Sequence, residues 1–114
     1  MRIAVIGFLA GAALACALAP LAAATKGDEV TIDNFVFGPQ KLTVKVGTTV
    51  TWVNRDDIPH TVTDPGKFKS KVMDTDESYS FTFTVPGQYD YFCSLHPHMT
   101  GTIVVEPSGG AATQ

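Results

Sequence analysis

The sequence predicts an all-β protein, a Greek-key β-sandwich of about seven to eight strands. Apolar and polar residues alternate with a period of two in several short runs after residue 29, and these runs are rich in Val, Thr and aromatic residues. Gly and Pro separate the runs, as they do at the turns of sandwich domains. No stretch of useful length shows the period of an amphipathic helix. We therefore expect antiparallel strands that each turn one face to a common core.

The alternation assigns a core-facing set to each predicted strand. The first three runs are EVTIDNFVF, KLTVKVG and TTVTWVN, and the later runs are SYSFTFTV, PGQYDYFC and TIVVE. Residues 64–78 lack clean alternation and are predicted to form a long crossover loop with a short strand or turn. The apolar residues that share a face in the first five runs are Val30 and Ile32; Leu42, Val44 and Val46; Val50 and Trp52; Tyr79, Phe81, Phe83 and Val85; Tyr89, Tyr91 and Cys93.

The predicted turns coincide with residues that favour turn geometry. Tyr89 follows one of them at a short distance. It is either the tyrosine of a tyrosine corner, bonded back to nearby backbone, or an ordinary core aromatic. The turn residues are Gly38 with Pro39, Gly47, Pro65 with Gly66, and Pro86 with Gly87.

Residues 1–24 predict a secretory signal peptide. Arg2 is their only charged residue, an apolar run rich in Ala and Leu follows, and residues 22–24 are all Ala. A membrane anchor and a lipid-attached Cys16 are the alternatives, but the run is short for a bilayer and the residues around Cys16 fit a lipidation motif poorly. We expect cleavage after Ala24, export to the periplasm, a domain at residues 25–106 and a flexible tail at residues 107–114.

The mature chain would be acidic and would hold one cysteine. Residues 25–114 contain seven Lys and Arg against eleven Asp and Glu, a net charge of −4 with His neutral. This charge argues against nucleic acid and anionic membranes as partners and permits a basic protein partner. Removal of Cys16 leaves Cys93 alone in an exported chain, where an unoccupied thiol invites oxidation. We therefore expect Cys93 to be a ligand.

The segment CSLHPHM, residues 93–99, combines one thiol, two imidazoles and one thioether. Copper sites used for electron transfer take two His and one Cys with a weak axial Met, and Cys93, His96 and Met99 supply three such ligands at steps of three. Zinc sites use Cys, His and carboxylates rather than Met. An enzyme with Cys93 as nucleophile and a histidine base is disfavoured by the lack of an evident substrate pocket.

The remaining ligand is His60 or His98. His60 follows the predicted strand that contains Trp52, and Cys93 ends another strand, so both can lie at the same end of a sandwich. His98 stands two residues after His96 and would reach the same ion only with strain. We therefore predict His60.

The segments DNFVFGPQKLTVKVGTTVTWVNRDDIPHTV and PGQYDYFCSLHPHMTGTIVVE resemble the cupredoxins, the small blue copper proteins. The spacing Cys-x2-His-x2-Met looks most like the short ligand loop of the amicyanin group. The resemblance covers nearly the whole mature chain. It implies one type 1 copper ion held by His60, Cys93 and His96 with Met99 as axial ligand, and an Asn54 whose hydrogen bonds tie the two ligand loops together.

The resemblance also implies a function. The protein would be a monomeric electron carrier and not an enzyme, cycling copper between Cu(II) and Cu(I), with His96 as the ligand through which electrons enter and leave. Its partners would be redox proteins, with a basic partner permitted and no stable membrane insertion after removal of the signal peptide. A periplasmic copper carrier that delivers its ion is the alternative, and it would need an accessible, exchangeable site.

Two sets of surface residues would suit a redox partner. An apolar patch around His96 is expected from Ile58, Pro59, Pro97 and Phe68, although Ile58 and Phe68 could equally be core residues. Acidic residues either steer a basic partner or form a solvated face. These acidic residues are Asp56, Asp57, Asp74, Asp76 and Glu77.

His98 departs from the loops of the amicyanin group, where an apolar or aromatic residue is usual. We expect it to be an exposed residue without a role. The alternative is that a protonatable group beside the copper makes partner docking depend on pH.

Overall fold

The computed structural model describes residues 28–107, which form nine β-strands in two sheets. The predicted signal peptide with Cys16 and the tail beyond Pro107 lie outside the described residues. Within residues 28–107, no helix has the length and apolar character needed to cross a membrane. The strands are β1 (Asp28–Asp33), β2 (Val36–Gly38), β3 (Lys41–Lys45), β4 (Thr49–Asn54), β5 (Thr63–Asp64), β6 (Phe68–Lys69), β7 (Ser78–Thr82), β8 (Gly87–Cys93) and β9 (His96–Glu106).

The two sheets confirm the predicted all-β sandwich. One sheet has the order β2-β1-β4-β7 and the other the order β3-β9-β8-β5-β6. The expectation of purely antiparallel pairing is wrong, because β1 pairs with β4 and β3 with β9 in parallel. Alternation reports which face of a strand is buried and not the direction of its neighbour. The strand count exceeds the prediction because the run EVTIDNFVF forms two strands, β1 and β2, and because β5, with two residues, is too short to show alternation.

The chain changes sheets at Gly47, between β3 and β4. The Val46 N–H donates to the Glu106 carbonyl in one sheet, and the Gly47 N–H donates to the Phe83 carbonyl in the other, at 2.8 and 2.6 Å. Gly47 has φ 95°, a left-handed conformation that a residue with a Cβ adopts only with strain. Through this change of sheet, Val44 of β3 and Trp52 of β4 reach the same core from opposite sheets.

The core follows the predicted faces with one clear exception. Val30, Ile32 and Trp52 are fully buried, whereas Val85 is 60% exposed. The prediction for Val85 is wrong because β7 ends at Thr82, so the alternation of that run does not continue to residue 85. Predicted positions at the margin of the core are half-buried, namely Leu42, Val46, Tyr79 and Phe81.

Two tyrosines of β8 fix the packing of this strand. The Tyr89 hydroxyl donates to the Val85 carbonyl at 2.6 Å. This bond makes Tyr89 the tyrosine of a tyrosine corner, the first of its two predicted roles. Tyr91 is paired with Gly101 of β9, and its ring lies where a Cβ on residue 101 would be. Gly101 is therefore required by the close approach of the ring.

The connection from residue 64 to residue 78 contains the predicted short strand and one additional β-bridge. It contains β6, which pairs with β5, and Met73, which forms an isolated β-bridge with His60. This bridge brings the connection against the end of the sandwich at which β4 and β8 finish.

Candidate metal centre

The end of β8, the start of β9 and the loop between β4 and β5 converge at one end of the sandwich. Cys93 is the last residue of β8, His96 is the first of β9, and the two are paired across the tight turn between them. His60 lies between β4 and β5, where its backbone N–H donates to the Met73 carbonyl at 3.1 Å and its carbonyl accepts the Met73 N–H at 2.9 Å. The ligand atoms of His60, Cys93 and His96 lie within 4.8 Å of one another.

The three donor atoms form a triangle of the size that one metal ion requires. The Nδ1 atoms of His60 and His96 are 3.2 Å apart, and Cys93 Sγ lies 3.8 and 3.5 Å from them, respectively. Metal bonds of about 2.0 Å to nitrogen and about 2.3 Å to sulfur give triangle edges of roughly 3.3 to 3.7 Å. Two imidazole nitrogens this close repel one another unless a proton or a metal ion lies between them. The donor set therefore fits a metal ion that prefers nitrogen and sulfur.

His60 is oriented by a carboxylate on its other ring nitrogen. Its Nε2 lies 2.9 Å from Asp56 Oδ2, and the His60 side chain is fully buried. The same Asp56 oxygen accepts the backbone N–H of Phe35 at 3.0 Å. These hydrogen bonds, first that from His60 and then that from Phe35, hold the pKa of the Asp56 carboxyl below its ordinary value. Asp56 is thus an ionised acceptor that leaves His60 Nδ1 free to face Cys93.

The placement of Asp56 corrects an expectation. Asp56 is only 8% exposed, so it cannot belong to a solvated acidic face that steers a partner. Asp57, next to it, is exposed and donates its N–H to Asp56 Oδ1 at 3.1 Å. An Asp-Asp pair in a polar loop gives no signal in the sequence that one of its members is buried.

Thr61 connects the two ligand loops. Its backbone N–H donates to Cys93 Sγ at 3.3 Å, and its Oγ1 accepts the Ser94 N–H at 2.7 Å. The hydroxyls of Thr61 and Ser94 also share a hydrogen bond of 2.8 Å. The sequence pattern does not single out Thr61, because a Thr in a β-rich segment is usually a strand residue.

Among the described residues, the Asn54 side chain makes no hydrogen bond to the loop that carries Cys93, which corrects the expectation that it ties the two ligand loops together. Its Nδ2 donates to the carbonyls of Ile58 and Met73 at 2.9 and 3.0 Å, and its Oδ1 accepts the Asp56 N–H at 2.9 Å. It is completely buried. Asn54 therefore fixes the loop that carries His60, and it attaches this loop to the segment that contains Met73.

The surface around His96 differs from the predicted patch. Phe68 is buried and packs against Trp52 and Phe83, with ring centroids 5.7 and 5.6 Å apart, so its place in the patch is wrong. Phe35, which the sequence pattern does not single out, is 42% exposed, and its ring stands edge-on to the His96 ring with centroids 5.0 Å apart. The Asn that precedes Phe35 was a usable turn signal.

Ile58 is half-buried, Pro59 and Pro97 are exposed, and Leu95 adds a further exposed apolar side chain beside His96. Phe35 lies against His96, and Leu95 and Pro97 are its exposed neighbours in sequence, whereas a continuous patch that includes Ile58 and Pro59 stays a prediction.

Met99 and His98, at the end of the Cys93–Met99 loop, differ in burial. Met99 is buried, while His98 is exposed and lines a surface groove with Phe35 and Gln40. Among the described residues, the cluster of possible metal ligands contains His60 and not His98. The axial role of Met99 and the part played by His98 stay predictions.

The fold and this group together define a class of protein: a small all-β sandwich that, within residues 28–107, brings a thiol and two imidazoles together in positions that could hold a metal ion. Residues 4–105 match the family described as Cupredoxin-like domain. The chain belongs to this family.

Individual relatives agree with this assignment. Amicyanin from Paracoccus denitrificans is 40% identical over 109 residues, covering 88% of this chain and 83% of the relative. Amicyanin-alpha from Methylorubrum extorquens is 39% identical over 111 residues, covering 90% of this chain and 93% of the relative. A plastocyanin from Scenedesmus fuscus is 36% identical over 85 residues, covering 62% and 87%.

Solved structures resemble this one at similar levels. The Cu(I) form of an amicyanin mutant has a TM-score of 0.68 and 41% identity, covering 76% of this chain and 91% of that one. A purple cupredoxin from Nitrosopumilus maritimus has a TM-score of 0.66 and 31% identity, covering 69% and 99%. The chain is thus an amicyanin-like cupredoxin, a family that binds one copper ion, and its group of His60, Cys93 and His96 is positioned for such a metal.

Proposed function

We propose that this protein carries single electrons on one type 1 copper ion. His60, Cys93 and His96 would hold this ion, and Met99 is proposed as a fourth, weaker ligand. The observation that carries the proposal is the convergence of two Nδ1 atoms and one Sγ within 3.2 to 3.8 Å. When bound, copper supplies a one-electron couple between Cu(II) and Cu(I).

The surroundings of these ligands suit electron transfer better than substrate chemistry. Thr61 fixes the Cys93 sulfur by a backbone hydrogen bond, Asp56 fixes His60, and the bridge to Met73 anchors the loop of His60. Ligands held in this way change position little when the charge on the metal changes. We therefore assign the chain the role of an electron carrier, without a catalytic residue.

His96 is the proposed point of electron entry and exit. It is half-buried, whereas His60 and Cys93 are fully buried. Exposed apolar side chains surround it, including Phe35, Leu95 and Pro97. A few exposed apolar side chains around one ligand suit the small interfaces of transient redox complexes.

The partners are proposed to be redox proteins, and the protein itself a periplasmic monomer. The proposal of export rests on the signal-peptide pattern of residues 1–24. Exposed carboxylates at Asp57, Asp74 and Glu77 favour a basic partner, while Asp76 is already paired with Arg55 at 2.8 Å.

The test is redox cycling of the copper-loaded protein with ascorbate and ferricyanide, followed by visible absorption. We expect one electron per copper and full return of the colour over repeated cycles. The His98→Gln variant is the matched control and should behave like the parent, whereas His96→Gln should lose the intense band. Release of copper to a Cu(I) chelator on each reduction would overturn the proposal and favour delivery of the ion.

A further inference from the structure

The turn between β1 and β2 holds a bulky residue in a strained conformation. Asn34 and Phe35 have φ values of 54° and 61°, and they form a two-residue turn between Asp33 and Val36, which pair with one another. Turns of this type favour Asn and Gly, and Phe at positive φ is an outlier. Phe35 is also 42% exposed, so burial in the core does not compensate for the strain.

The backbone of Phe35 is held by a hydrogen bond to the buried Asp56 carboxylate. Its backbone N–H donates to Asp56 Oδ2 at 3.0 Å, and the same oxygen lies 2.9 Å from His60 Nε2. A carboxylate only accepts hydrogen bonds, so His60 carries its proton on Nε2 and presents a bare Nδ1 to Cys93. One buried oxygen thus links the strained turn to a predicted metal ligand.

The side chain of Phe35 packs against the imidazole rings of His60 and His96. Its ring stands nearly perpendicular to His60 and to His96, at 90° and 88°, with centroid distances of 5.5 and 5.0 Å. Edge-to-face contacts of this kind are attractive and depend on orientation. The Phe35 ring therefore restricts the rotation of both histidines on the solvent side of the site.

We infer that Asp56 and Phe35 are positioning residues that orient His60 and His96 for the metal, with Asp56 selecting the ring nitrogen of His60 and Phe35 limiting the movement of both rings. We call this pair the Asp56–Phe35 clamp. The inference rests on the proposed function for the identity of the metal. It gives the strained, exposed turn a role, since strain of this kind persists where the surrounding structure requires it.

The first test measures the tautomer of His60 by nitrogen-15 NMR in the metal-free full-length protein. The parent and the exposed neighbour variant Asp57→Asn should carry the proton on Nε2. Asp56→Ala should shift the population towards the Nδ1-protonated form, and Asp56→Asn should lie between them, because an amide accepts through only one of its two atoms. A parent with the proton on Nδ1, or an unchanged tautomer in Asp56→Ala, overturns the role of Asp56.

The second test measures the loss of copper to an excess of chelator, together with the Cu(II) EPR spectrum. We expect Asp56→Ala to lose copper about 10 to 100 times faster than the parent, because substitutions behind metal ligands typically weaken metal affinity by about this factor. Phe35→Gly keeps the N–H bond to Asp56 and relieves the strain. It should therefore keep or raise the thermal midpoint of the metal-free protein, lose copper several-fold faster and broaden the EPR spectrum.

Val36→Ala, at the exposed neighbouring position, is the control for Phe35→Gly. Equal copper loss from Phe35→Gly and Val36→Ala overturns the role of the ring. If the parent protein itself shows no thiol-to-copper absorption band, the proposed function fails, whereas the tautomer measurement still decides the role of Asp56 independently. The two failures are therefore distinguishable.

Discussion

The backbone N–H of Thr61 donates to Cys93 Sγ at 3.3 Å, and this bond joins the loop that carries His60 to the end of β8. Because Thr61 follows His60 directly, a displacement of Cys93 also displaces His60. The Thr61 side chain strengthens the link through its bonds with Ser94. The spacing of the donor triangle is thus maintained by hydrogen bonds within the protein before any ion binds.

Thr61→Val tests this link, because it removes Oγ1 and keeps both the shape of the side chain and the backbone N–H. It leaves the Ser94 N–H without its acceptor, so we expect a loss of about 1 to 3 kcal/mol in the free energy of unfolding. Urea denaturation of the metal-free protein measures this loss. Ser94→Ala removes only the exposed hydroxyl and should lower the free energy of unfolding by less than half as much. An equal loss in the two variants would contradict the role of Thr61 Oγ1 as the acceptor that links the loops.

Asn54 should be among the least replaceable polar residues outside the proposed ligand set. Asn54→Ala leaves the carbonyls of Ile58 and Met73 and the N–H of Asp56 without their side-chain partner. We expect destabilisation of about 3 kcal/mol and faster hydrogen exchange of the His60 amide. Gln40→Ala, which removes an exposed amide, is the comparison and should change stability by less than about 0.5 kcal/mol.

Gly101→Ala should destabilise the protein through a steric clash. A Cβ at residue 101 would overlap the Tyr91 ring across the β8–β9 pair. Overpacking of this kind typically costs about 1 to 3 kcal/mol, and thermal unfolding would report it. Gly38→Ala is the control, since the nearest atom to its Cβ would be the Thr31 carbonyl oxygen at 3.8 Å. Equal destabilisation by the two variants would show that the ring is not the cause.

Tyr91 should make the stability of the fold fall at alkaline pH. Burial raises the pKa of Tyr91 to about 12, from an ordinary value of 10.0. The stability that depends on a neutral Tyr91 is fully present below pH 10 and is lost as the pH rises towards 12. The reason is that Tyr91 ionises at a lower pH in the unfolded chain than in the folded protein. Linkage gives a loss of about 2 kcal/mol by pH 12.

Tyr91→Phe isolates this effect. Its free energy of unfolding should lie within about 1 kcal/mol of the parent at neutral pH, because the buried hydroxyl makes no well-formed hydrogen bond within residues 28–107. Its stability should fall less steeply than that of the parent between pH 10 and pH 12. Identical pH profiles for the two proteins, measured by urea denaturation, would exclude Tyr91 as the source.

Local pattern was sufficient for the parts of the molecule that depend on neighbouring residues. Alternation predicted the buried faces of β1, β4 and β8, and the short loop from Cys93 to Met99 contained its own chemical signal. The choice of His60 followed from strand ends that meet at one end of a sandwich. The cluster of His60, Cys93 and His96 agrees with that choice, whereas the axial role of Met99 is still a prediction.

The parts that could not be predicted depend on contacts between residues far apart in sequence. Asp56 bonds to Phe35, 21 residues away, and Thr61 to Cys93, 32 residues away. Neither contact leaves a periodic trace in the sequence. The parallel pairing of β1 with β4 and the burial of Phe68 depend in the same way on how the sheets are assembled.

The visible absorption spectrum of the purified protein after addition of Cu(II), compared with that of Cys93→Ser, tests the central claim most directly. The proposed site predicts an intense blue sulfur-to-copper band in the parent, with one copper per chain. The band should be absent from Cys93→Ser and retained in His98→Gln. A colourless parent protein, or weak absorption that persists in Cys93→Ser, would contradict the assignment of an electron-transfer copper site.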